Sequence, residues 1–68
     1  MTNRHPILTI WEQDVQATAI GQGRHVSTAL MLDAFGSFTA AEEWFRSRNC
    51  RLMPAVHGTH VFVKYRVL

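Results

Sequence analysis

"CRLMPAVHGTHVFVKYRV", residues 50–67, alternates apolar and polar positions on both sides of a glycine. Alternation of this kind sends successive side chains to opposite faces of a sheet, so the stretch reads as two strands, 50–57 and 60–67. Between them, Gly58-Thr59 has the Gly-X chemistry of a two-residue II′ turn, in which glycine supplies the positive φ. Such a turn sets His57 opposite His60 and Val56 opposite Val61. One face then collects Cys50, Leu52, Pro54, Val56, Val61, Val63, Tyr65 and Val67, a face made for a core. The other collects Arg51, Met53, Ala55, His57, His60, Phe62, Lys64 and Arg66, which is basic and partly apolar. In this register Pro54 pairs with Val63 at a non-hydrogen-bonded site, so its missing N–H points away from the hairpin. The spacing therefore predicts that 50–57 is an edge strand and that 60–67 lies further inside the sheet.

Working upstream, "SFTAAEEWFRSRN" (37–49) predicts an amphipathic helix over 39–49. Thr39 and Glu42 have capping-box spacing, and Ala41, Trp44, Phe45 and the stem of Arg48 form a stripe at i, i+3, i+4, i+7. Glu42 and Arg46 can pair one turn apart on the exposed side. Asn49 suits a left-handed cap. Further back, "RHVSTALML" (24–32) fits two periods. Val26, Thr28, Leu30 and Leu32 alternate like a strand, while Val26, Ala29 and Leu30 fit a helix stripe. The preceding "GQG" turn favours a third strand. "ILTIW" (7–11) and "VQATAI" (15–20) read as another hairpin around Gln13-Asp14, a dipeptide with poor turn chemistry. The expected fold is α+β: an antiparallel sheet of four to five strands in the order βββαββ, with one helix packed on one face.

A chain of 68 residues fits a single domain, 1–68, with a thin core. Its lone cysteine, Cys50, cannot form an internal disulfide, which suits a reducing cytoplasm. No apolar run reaches the roughly 20 residues of a membrane span, and no signal peptide opens the chain, so a soluble cytoplasmic location is expected. The net charge of +2 is unevenly spread. Residues 1–45 hold two bases and all five acids, a net −3, whereas residues 46–68 hold five bases and no acid, a net +5. A cationic segment of this kind biases the protein toward an anionic partner, although it also describes a charged edge strand that resists aggregation.

Catalytic and metal chemistry find little footing here. His57 and His60 could flank a turn as two ligands, yet zinc needs about four, and no third donor lies near them in sequence. Cys50 has no base on its own face, and Glu42 and Glu43 diverge around a helix, so no catalytic residue, metal or cofactor is expected. Arg51, Met53, His57, His60, Phe62, Lys64 and Arg66 are the candidate binding residues. Cations on a sheet face neutralise phosphates, and an aromatic among them can stack on a base. Equally, Phe62 and Met53 could form a second small core under the N-terminal segment or a twin subunit.

The helix entry "SFTAAEEW" and the following "VHGTHVFVKY" resemble the second half of small phage- and mobile-element-encoded inhibitors of the anti-CRISPR type. The resemblance implies a non-enzymatic protein that blocks nucleic-acid-handling machinery, with Arg51, Lys64 and Arg66 in the place of nucleic-acid contacts and Phe62 as an anchor. Its expected partner is a host protein or ribonucleoprotein complex. The alternatives are direct nucleic-acid binding and a structural homodimer, neither of them involving a membrane.

Overall fold

The computed structural model describes residues 5–66. Trp11, Val15 and Thr18 recur at three- and four-residue steps, and all three are buried on one side of a helix, α1 (Ile7–Ala17), or just past its end. Residues 7–20 are therefore not a hairpin. Burying Trp11 and Val15 together requires the 3.6-residue period, and Thr18 Oγ1 closes the last turn by donating to the Asp14 carbonyl at 2.6 Å. The β-branched Ile7, Thr9, Ile10 and Val15 favour a strand locally, but tertiary burial outweighs that preference.

In "RHVSTALML" both periods are real and succeed one another. A strand, β1 (Gly23–Ser27), carries Val26 into the core. Ser27 then caps the next helix, α2 (Thr28–Phe35), by accepting from the Leu30 N–H at 3.3 Å. That helix stops at Gly36, whose φ of 83° closes a left-handed cap onto the Leu32 carbonyl at 2.7 Å. Ser37 immediately caps α3 (Phe38–Arg46), accepting from Ala40 at 3.2 Å, so the cap is Ser37 rather than Thr39. Asn49, at φ 61°, takes the left-handed conformation expected of it and turns the chain into β2 (Cys50–Pro54).

The strand order is β1-β3-β2, with β3 (Thr59–Lys64) antiparallel to both neighbours. Among the described residues, three helices and three strands replace the expected four to five strands and single helix. Cys50 pairs with Lys64, Leu52 with Phe62 and Pro54 with His60. The hairpin thus closes through residues 55–58 rather than Gly58-Thr59 alone. The Ala55 N–H donates to the Thr59 carbonyl and the Thr59 N–H to that of Val56. This register lies three residues from the expected one, and an odd slip turns one strand's faces over relative to the other's. Cys50 and Leu52 keep the core side, whereas Phe62, not Val61 or Val63, joins them. The edge position of β2 and the inner position of β3 are as Pro54 implied.

The core lies between this sheet and the helices. Phe62 of β3 stacks on Phe45 of α3 (5.0 Å, 20° between planes), Phe45 meets Trp11 of α1 at 6.2 Å, and Trp11 stacks on Phe35 of α2 at 5.9 Å. One aromatic chain thereby ties every helix to the central strand. On its border Arg48 lies 3.8 Å over the Trp44 ring and grips Glu12 of α1 through Nε (2.6 Å) and Nη2 (3.1 Å). The planar guanidinium can make both contacts at once, which clamps α1 to the end of α3.

Candidate interaction edge

The corrected register divides the residues that the sequence grouped on one basic face. Phe62 has 0% exposure and sits at the centre of the core. His60 faces the helices, hydrogen-bonded through Nδ1 to Thr28 Oγ1 at 2.6 Å, with its ring 4.7 Å from Phe38. Lys64 also turns inward, donating from Nζ to the Val15 carbonyl at 3.0 Å near the end of α1. Arg51 and Met53 lie on the opposite side of the sheet, His57 is exposed in the hairpin loop, and Arg66 is exposed beyond β3. No single surface therefore holds all seven. His57 and His60 are parted by the turn of the chain, and among the described residues no group of three or more His, Cys, Asp or Glu side chains could hold a metal.

The surface that does form follows the free side of β2. Hydrogen bonds from the Tyr65 N–H to the Asn49 carbonyl and from the Ala55 N–H to the Thr59 carbonyl fix which β2 residues bond inward. By alternation, Arg51 and Met53 direct their backbone groups at β3. Cys50 and Leu52 present N–H and C=O outward, and Pro54 presents its carbonyl alone. A shallow trough of about 880 Å³ runs along this edge. Glu42 and Arg46 of α3 line it on one side of the sheet, with Arg51, Met53 and Tyr65 also on its walls. Near the hairpin end, Phe38, Glu42 and Pro54 border a second hollow of about 230 Å³. α3 runs antiparallel to β2. Phe38, with its ring 4.7 Å from that of His60, lies at the Pro54 end, and Arg46 is joined to Cys50 by three residues. Glu42, which lines both hollows, lies between them.

Cys50 is buried at the trough, and burial pushes its thiol above the ordinary value, against a smaller downward pull from the Lys64 and Arg48 cations. A protonated, inward-facing thiol is a poor nucleophile. The edge thus offers backbone hydrogen bonds, apolar contact and separated charges of both signs.

Arg51 and Met53 are legible as surface residues from strand alternation, whereas Arg46, Tyr65 and Glu42 join the site only in the folded chain. The available signal was the exposed Glu42–Arg46 spacing beside a proline-marked edge. Comparison with family models, curated proteins and solved structures yields no match. Among the described residues no helix is long and apolar enough to cross a membrane.

Proposed function

We propose that this chain is a small non-enzymatic interaction module that takes an extended segment of a protein partner along the free edge of β2. The observation that carries this reading is the outward row of backbone groups at Cys50, Leu52 and Pro54 beside the α3-lined trough. Strand addition draws its affinity from such main-chain groups and its selectivity from the flanking side chains. Of the residues that the anti-CRISPR-type resemblance put forward, Lys64 turns inward and Phe62 is buried, which leaves Arg51 and Arg66 as the exposed ones. The test removes one backbone donor. Cys50 provides a ligation junction for synthesising the chain with N-methyl-Leu52, which keeps the side chain and deletes its outward N–H. Extended peptides selected from a display library on the unmodified protein should lose affinity for the N-methylated one and should slow amide exchange at Cys50 and Leu52. Binders indifferent to the methyl group would sink the reading.

One further observation favours a nucleic-acid target. Helices α2 and α3 meet across Gly36-Ser37 and are followed by the β2–β3 hairpin, an order that matches a helix-turn-helix with a hairpin wing beside the first turn of its second helix. In that motif the second helix enters the major groove. Yet the exposed side of α3 offers Glu42 and Glu43 against Arg46, which does little to neutralise phosphates. Fold order alone does not carry function. Duplex DNA titrated at low and moderate salt separates the two readings, since tight, steeply salt-dependent binding would favour the nucleic-acid one.

A further inference from the structure

We infer that the strand received by β2 is β2 of a second copy of this chain, paired antiparallel about a two-fold axis through Leu52. The inference rests on the strand-addition reading and names its partner. Three independent features fit a self-complementary contact. First, the hydrogen-bonding phase closes on itself. The Leu52 N–H of each copy meets the Leu52 carbonyl of the other, and each Cys50 N–H meets the Pro54 carbonyl of the other. Pro54 lacks only the return donor. A proline that protects an edge against long partners therefore costs this short symmetric pairing little.

Second, charge complementarity appears only under two-fold symmetry. Glu42, which lines both hollows, lies nearer the Pro54 end than Arg46, which follows it by one helical turn toward Cys50. The axis through Leu52 sets the Pro54 end of one copy beside the Cys50 end of the other. Each Glu42 then faces Arg46 of the second copy, whereas a parallel arrangement would set Glu42 against Glu42. An isologous contact needs this reciprocity of unlike residues. Third, on the other side of the sheet Arg51 comes opposite Met53 of the second copy rather than opposite its own counterpart, so the like charges stay apart. The joined sheet has six strands and closes as a dimer.

Sedimentation of the full chain over micromolar to millimolar concentrations tests the inference. The unmodified protein should show a monomer–dimer equilibrium. Glu42→Arg and Arg46→Glu, both at exposed positions outside the core, should each weaken it by about tenfold, because each converts two attractions into two repulsions. The double variant Glu42→Arg/Arg46→Glu should recover the dimer, since reversing both partners restores every pair. A double variant no better than the singles would overturn the inference, as would a strict monomer at all concentrations. A strict monomer that still binds extended peptides in an N-methyl-Leu52-sensitive way leaves strand addition standing and removes self-pairing alone. Loss of both behaviours removes both.

Discussion

β2 and β3 carry the same kind of alternation, yet one presents the faces its sequence suggests and the other presents them reversed. In β2, Cys50 and Leu52 turn to the helices and Arg51 and Met53 turn away. In β3, the residues that look outward by a two-residue turn, His60, Phe62 and Lys64, are the ones that turn to the helices, with Phe62 fully buried. The difference lies in residues 55–58 and not in either strand. A two-residue turn encloses an even number of residues between paired positions, whereas the observed connection encloses an odd number, the five between Pro54 and its partner His60. The two registers therefore differ in parity, and a short local choice inverts an entire face. Alternation specifies a strand's two faces but leaves open which is inside. That is settled by which face meets a neighbour, and here Phe45 and Trp11 complete the aromatic chain only with Phe62.

The sharpest way to break this comparison is to truncate β3 on each side. Phe62→Ala removes the ring stacked 5.0 Å from Phe45 and leaves a cavity, so denaturant unfolding should show a loss of about 3–5 kcal/mol. Val63→Ala, on the opposite face, should cost far less; a reversed ranking would restore the register of the two-residue turn. A smaller effect belongs to Cys50 on the helix side of β2. Its thiol binds a proton more tightly folded than unfolded, so stability should be fully kept below the ordinary thiol value of 9.0 and decline as pH rises past it. Cys50→Ala should remove that alkaline slope in pH-dependent thermal unfolding. The smallest change is expected at Val56, which is 73% exposed in the loop instead of facing Val61 in the core. Val56→Lys should shift stability by no more than about 0.5 kcal/mol, and a larger loss would place this residue inside.

The same distinction separates the parts of the fold that are readable from those that are not. The stripe of α3, the left-handed Asn49 and the edge position marked by Pro54 follow from side chains within a turn or two of one another. Residues 7–17 are ambiguous at that range, because Ile7, Leu8, Ile10 and Trp11 satisfy both periods until Trp11 and Val15 find a shared place in the core. At Ser27 the strand and helix patterns overlap, and the handover becomes visible only when that hydroxyl caps Leu30. For the candidate site, Arg51 and Met53 are legible by alternation. The pairing of the β2 edge with Glu42 and Arg46 depends on how α3 lies against the sheet.

Taken by itself, then, the chain determines its local terms: one amphipathic helix, two alternating strands, an edge marked by proline and a cationic C-terminal third. Only the tertiary structure decides the phase of β3 against β2, the helical state of residues 7–17 and the trough between α3 and the free edge. The physical reason is range. Caps, turns and periodicity act across a few residues, whereas the choice of buried face is made by partners as far apart in sequence as Trp11, Phe45 and Phe62, and no local energy distinguishes the alternatives until those rings meet.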